Sequence, residues 1–351
     1  MFLFATADKL YSRRNKLPFY IVMLLFLLFP SLIGGARDFT IGIDIYTYGI
    51  EHFRYAASCK SLYELYKDPP SHEMGWFVAN YLSSRIAKDL NFFFFLSEFL
   101  KLTIVSYSAI HLRHRLNPVF FVFTYFMFFY FTGWCLMRQS FAMAICCLAF
   151  TMYLDKKYFL FVLIILLART FHNSAVLMFV FPVFNYFKKW KYSYFLLMTA
   201  LMLTFSSVYF IIEKVAESGL FREDFYSLYF DSGVPTSKGF MVIVAIYIMY
   251  GLLSSLEKDS SVRCLIMNNA IFAMALILMG QYVNVAYRAA FYPMLCLMII
   301  TLMSFKSIRQ NNKKQIIYVV VGFAFLLYFY VESTHELLGT IPYSSKILGI
   351  R

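Results

Sequence analysis

Eleven apolar runs constrain this chain more than any other feature, near residues 18–34, 92–110, 117–132, 138–154, 157–169, 171–187, 192–212, 239–256, 263–283, 287–305 and 315–331. Most are long enough to cross a hydrocarbon core of roughly 30 Å as a helix; the fifth is short. A water-soluble fold of 351 residues has no interior large enough for a sequence that is 61% hydrophobic and holds 42 Phe and 28 Tyr. The expected fold is therefore all-α, a polytopic membrane helical bundle of ten to eleven spans forming a single transmembrane domain over residues 1–351. The first run follows Lys9, Arg13, Arg14 and Lys16, the flank of a signal peptide. With so many later spans it reads as an uncleaved anchor.

Met74 to Ile86 is half polar, with Asn80, Ser83, Ser84 and Arg85, and counting it as a span inverts every later segment. Charge decides the matter. If it lies in the interface or re-enters, one set of connections (1–17, 111–116, 155–157, 188–191, 257–263 and 306–314) holds 17 of the 32 Lys and Arg but 4 of the 19 Asp and Glu, a surplus of +13. The opposite face is balanced. The positive-inside rule then places the N-terminus in the cytoplasm, the C-terminus outside, and two long loops, about 35–91 and 213–238, on the outer face. The same surplus accounts for the formal net charge without invoking nucleic acid.

The six cysteines form no CxxC pair, and no His/Asp/Glu spacing matches a metal site. No G-x-S-x-G, P-loop or Rossmann pattern occurs either, so chemistry without metal or cofactor is expected.

Charged groups at membrane depth must be paired, wetted or functional. With the chosen topology the notable ones share the outer side: Arg37, Asp38, Asp44, Glu73, Arg138, Arg169, His172 and Arg288. Arg138 can present a planar fork to phosphate oxygens, or simply snorkel to headgroups. His172, if a helix starts near it, is favoured as neutral imidazole; otherwise it is a polar interfacial residue. Arg169, three residues earlier, can address the same anionic ligand. Asp44 and Glu73 are candidate general bases or solvated loop acids. Glu98 and Lys101, three apart inside a span, are expected to pair structurally.

An ordered pattern runs through most of the chain: Arg37 with Ile41-Gly-Ile-Asp-Ile-Tyr46 and Tyr48, Glu73-x-Gly75-x-Phe77 with Asn80-Tyr-Leu82, Met137-Arg-Gln-Ser-Phe-Ala142, Phe171-His-Asn-Ser-Ala175, Tyr287 with Arg288, and Pro342-Tyr343. In this pattern the chain resembles the EpsG/Wzy-type family of bacterial polysaccharide polymerases. The resemblance implies a fold similar to GT-C-like lipid-dependent glycosyltransferases in the bacterial cytoplasmic membrane. It implies an undecaprenyl-diphosphate-linked oligosaccharide as substrate, with membrane lipid, a chain-length regulator and a flippase as partners. Arg138, Arg169, Arg288 and Arg37 then become candidates to neutralise the departing diphosphate, and His172, Asp44 or Glu73 to serve as base. A membrane acyltransferase using His172, a flippase or transporter of lipid-linked sugars, and a structural membrane protein are the competing readings.

Overall fold

The protein is described here from a computed structural model, covering residues 1–67, 69–190, 192–194, 196–201, 237–253, 260–281, 284–308, 311–335 and 339–350. Among the described residues six helices are long and apolar enough to cross a membrane: Lys16–Gly35, Leu90–His114, Met137–Leu154, Ser261–Met279, Ala286–Lys306 and Asn311–Thr334. Four shorter apolar helices, Pro118–Tyr130, Tyr158–Phe171, Asn173–Phe187 and Lys238–Leu252, fall on further expected runs. Of the run at 192–212 only residues 192–194 and 196–201 are described, and the loop at 213–238 lies outside the described residues except for 237 and 238. The chain is a multi-pass membrane protein with an all-helical architecture.

Two compact units are present, Met1–Val176 with Arg309–Arg351, and Leu177–Ile308. The first opens with helices α1 (Phe2–Ser12), α2 (Lys16–Gly35), α3 (His52–Ser58), α4 (Leu62–Lys67) and α5 (Met74–Ile86). It continues through α6 (Leu90–His111), α7 (Pro118–Tyr125), α8 (Thr132–Cys135), α9 (Met137–Leu154) and α10 (Tyr158–Phe171). Local chemistry sets these boundaries. The Asp89 carboxylate accepts the Asn91 N–H and starts α6. Asn117 accepts the N–H groups of Val119 and Phe120, with Pro118 in the first helical position where its missing donor costs nothing. Helix α9 buries Ala142, Ala144, Cys146, Cys147 and Ala149, small residues that let α6 and α10 approach it closely.

The contested segment is a helix of 13 residues, Met74–Ile86. At 1.5 Å per residue it is about 20 Å long, short of the hydrocarbon thickness.

Hydrogen bonds assign the ends of this unit. At one end Asn91 Nδ2 donates to the carbonyls of Gly35 (2.6 Å) and Arg37 (3.1 Å), joining the finish of α2 to the start of α6. The C-terminal segment docks on the same end. The Tyr343 hydroxyl donates to the Ile33 carbonyl at 2.9 Å, and Asp38 accepts from the Ser344 hydroxyl and the Lys346 N–H. At the other end Arg113 reaches Asp8, while His111 and Arg115 reach Asp155. So Lys9, Arg13, Arg14, Lys16, Arg113, Arg115, Lys156 and Lys157 gather at one end of the bundle, with Arg37, Glu73, Arg138 and His172 at the other. The charge segregation read from the sequence is a geometric fact within this unit.

The second unit packs α11 (Val180–Phe187) and the Lys238–Leu253 helix against the Ser260–Met279 helix, which also carries Phe291–Ser307. The Asn268 amide donates to the Ser193 hydroxyl at 3.0 Å, and Tyr250 bonds Ser304 at 2.7 Å.

Candidate functional site

Glu73, one residue before α5, is buried at 4% exposure and carries three donors. Its Oε1 accepts His172 Nδ1–H at 2.8 Å and the backbone N–H of Asn173 at 3.0 Å. Its Oε2 accepts Arg138 Nη1–H. An ionised carboxylate has only lone pairs to offer, so the proton on this bond belongs to Nδ1, and in the neutral imidazole the lone pair of His172 is on Nε2. Burial works to raise the Glu73 pKa, but the His172 bond and charge, the Arg138 charge and the Asn173 N–H outweigh it and hold the group below the usual carboxylate range. A carboxylate so stabilised is a poor proton acceptor. It acts instead to orient the imidazole and the guanidinium.

Packing on three sides brings the three side chains together. Gly75 lies against Thr170 and Phe171, and a Cβ there would overlap both. Glycine here gives the start of α5 a close approach to the end of α10, where Glu73 reaches His172. Phe141, one turn beyond Arg138, stacks on Phe171 with centroids 4.6 Å apart and an interplanar angle of 15°. The third side is a π-helical turn at Ile45–Glu51. Its Tyr48 carbonyl accepts the Trp76 indole N–H at 3.1 Å, and its ring lies 3.7 Å beneath the Arg138 guanidinium carbon. A partly desolvated cation–π contact of this kind contributes about 1–2 kcal/mol and fixes the guanidinium plane.

His52 was not singled out by sequence reasoning. It is 5% exposed, packs on Phe77 at 4.6 Å and meets Tyr48 edge-on at 5.4 Å. Burial, with Arg138 adding to it and Glu73 opposing, pulls its pKa down to about 4. Among the described residues its Nδ1 has no hydrogen-bond partner. The unfolded chain takes up a proton near pH 6.5 that the folded chain refuses until about pH 4. Stability should therefore fall as pH drops through that window, by an amount of the order of 3 kcal/mol. The Glu73 contribution is lost only lower, as pH falls through its own depressed pKa. Denaturation midpoints between pH 7 and 4 should show this slope in the native chain and lose most of it in His52→Phe. Equal slopes would rule out His52 as the source.

The remaining expected residues are placed as follows. His172 caps the C-terminal end of α10, and the 3-10 helix Asn173–Phe179 begins immediately after it. The first N–H of that helix goes to Glu73, so the anionic partner expected at a helix start is the carboxylate, and the imidazole is fixed by hydrogen bonding rather than by a dipole. Arg169 is exposed on the last turn of α10. Asp44 is half-buried, at the start of the π-helical turn, where its carbonyl accepts the Tyr48 N–H. Arg288 lies on the short Asn284–Ala289 helix of the second unit.

Arg37 lies in the interior of the first unit. It is 1% exposed, donates to the Gly34 carbonyl, points Nη2 at the Met137 sulfur at 3.6 Å and stacks on Phe94 at 4.0 Å. The electrostatic environment of this guanidinium is the buried Glu98–Lys101 pair. That pair forms as expected, with Lys101 Nζ 2.6 Å from Glu98 Oε1 and 3.1 Å from the Ser140 hydroxyl.

The model of the EpsG family matches residues 20–345, nearly the whole chain and every segment that builds this cluster. The chain belongs to the EpsG family. Membership suggests a polysaccharide polymerase-like role and a lipid-linked oligosaccharide substrate. No curated protein and no solved structure matches the chain. For an EpsG-family member the Glu73–Arg138–His172 cluster is thus the part of the described structure best suited to chemistry, combining an oriented imidazole, a fixed cation and burial at one end of the bundle.

Proposed function

We propose that the chain polymerises polyprenyl-diphosphate-linked oligosaccharide units into a surface polysaccharide, by glycosyl transfer at the outer face of the bacterial cytoplasmic membrane. The observation that supports this reading is the Glu73–His172 hydrogen bond, which commits Nδ1 and leaves Nε2 as the proton acceptor. In the proposed step His172 Nε2 takes the proton of an acceptor sugar hydroxyl while its oxygen attacks the anomeric carbon of the donor. The carbon–oxygen bond to the diphosphate breaks on the opposite side, giving inversion. The departing lipid diphosphate gains negative charge that fixed cations must stabilise. Arg138, through the N–H groups not given to Glu73, is the first of these. Arg169, three residues before His172, is the second. Asp44 remains the second candidate base, and a flippase and a chain-length regulator are the partners that the family resemblance implies.

A deletion strain separates this reading from its competitors. Loss of the polymerase is expected to leave surface lipid capped with a single repeat unit. Full-length chains lacking only a decoration would instead assign an acyltransferase, and absence of any surface unit a flippase.

A further inference from the structure

At the end of the first unit opposite Glu73, α1 turns back into α2 through Arg13, Arg14 and Asn15. A cleft of about 470 Å³ opens at this turn, its walls including Arg14, Asn15, Lys16, Phe19, Tyr20 and Arg113. Arg113 is already engaged: its Nε donates to Asp8 at 3.1 Å and its Nη2 to the Ser12 hydroxyl. Arg14 and Lys16 make no ion pair among the described residues, so the cleft carries two uncompensated cations.

Arg14 holds a left-handed backbone with φ 56°. Glycine or asparagine occupies that conformation at less cost, so an arginine there is a locally strained choice. The turn is a helix cap, with the Arg14 N–H bonded to the Tyr11 carbonyl at 3.0 Å and the Asn15 N–H to the Leu10 carbonyl at 3.1 Å, and it holds Arg14 and Lys16 on either side of Asn15. The adjoining face of α2 supplies the second half of a site. Leu17, Tyr20, Ile21, Leu24 and Leu25 are between 48% and 70% exposed, a continuous apolar strip starting at the cations. Phe19 and Tyr20, with ring centroids 5.1 Å apart, stand at the boundary as interfacial aromatics do.

We propose that this cleft binds the phosphate of an anionic phospholipid, with Arg14 and Lys16 on the phosphate oxygens and the acyl chains lying along the exposed face of α2. The two cations alone suit any phosphate. The apolar strip directly beside them selects a phosphate that carries hydrocarbon chains. The site is independent of the transfer chemistry and sits at the opposite end of the bundle from it.

The test uses the purified full-length protein, stripped of lipid in detergent and titrated with phosphatidylglycerol, phosphatidylcholine or inorganic phosphate, with bound molecules counted by native mass spectrometry. Phosphatidylglycerol should be retained in preference to phosphatidylcholine. Arg14→Asn and Lys16→Gln should each weaken that retention by about fivefold. Arg14→Asn should melt no lower than the native chain, because asparagine is at ease in the left-handed turn, so lost binding is not lost folding. Equal retention of the two lipids, or undiminished phosphatidylglycerol binding by the double variant, overturns the proposal. Displacement of the lipid by millimolar inorganic phosphate would reassign the cleft to a soluble anion and overturn the lipid assignment.

Discussion

Replacing Glu73 with glutamine should reduce polymer formation by about 100-fold or more while leaving the chain in the membrane. The reason is the number of donors on one carboxylate. Glutamine keeps the shape and one acceptor oxygen, which can still serve the Asn173 N–H or His172 Nδ1–H. Its amide nitrogen, however, must face Arg138, where a donor now meets donors and the ion pair is gone. The imidazole loses the group that fixes its tautomer, and the guanidinium loses its anchor. His172→Ala should be as severe, because it removes the proton acceptor that Glu73 serves. The informative measurement is the double variant Glu73→Gln with His172→Ala, assayed as chain formation from lipid-linked units at matched protein abundance. Residues acting as one unit are strongly non-additive, so the double variant should be no worse than either single change. Independent, multiplying losses would falsify the view that Glu73 works through His172. Asp44→Asn is the comparison that tests the second candidate base: retention of long chains removes Asp44 from the reaction.

How much of this was legible beforehand depends on how far along the chain each relationship reaches. Hydrophobic runs and the sidedness of Lys and Arg are properties of short windows, so the helices appear where the sequence placed them. The Glu98–Lys101 pair, three residues apart on one helix, was legible for the same reason. The Glu73 cluster joins residues 65, 99 and 100 positions apart. Composition named its members without saying that acid, base candidate and cation are bonded to one another, and that bonding changes their roles. In the proposed step Glu73 is an orienting group and not the base. Gly75 carried a readable signal: a glycine two residues after a candidate acid at a helix start marks a close approach of backbone. His52 carried little, since a histidine in a polar outer loop looks solvated until the rings of Tyr48 and Phe77 enclose it. The burial of Arg37 was not legible, because an arginine just past a span resembles a surface cation. Only the aromatic packing of Phe94 and Trp134 and the nearby carboxylate reveal that it is interior.

That interior charge group gives the largest expected effect on stability. Glu98 and Lys101 are each about 3% exposed in their side chains, and both lie in the electrostatic range of the buried Arg37 guanidinium. Two cations therefore share one carboxylate, and the three positions are not equivalent. Glu98→Gln leaves Lys101 and Arg37 facing each other without a counter-charge, whereas Lys101→Met leaves Glu98 and Arg37 still opposed in sign. Removing one partner of a buried ion pair costs about 3–5 kcal/mol, chiefly because the survivor stays buried and charged. Glu98→Gln should reach the top of that range and Lys101→Met fall well below it. Adding Lys101→Met to Glu98→Gln should then restore part of the loss, since the second change removes one of the two repelling cations. Thermal stability of the detergent-solubilised full chain gives the four corners of this cycle. If the double variant loses as much stability as the two single variants together, the pair is not coupled and Arg37 does not share its carboxylate. If stability recovers, the buried triad is what ties the end of α2 to α6 and α9, and so sets the position from which Met137 and Arg138 begin their helix.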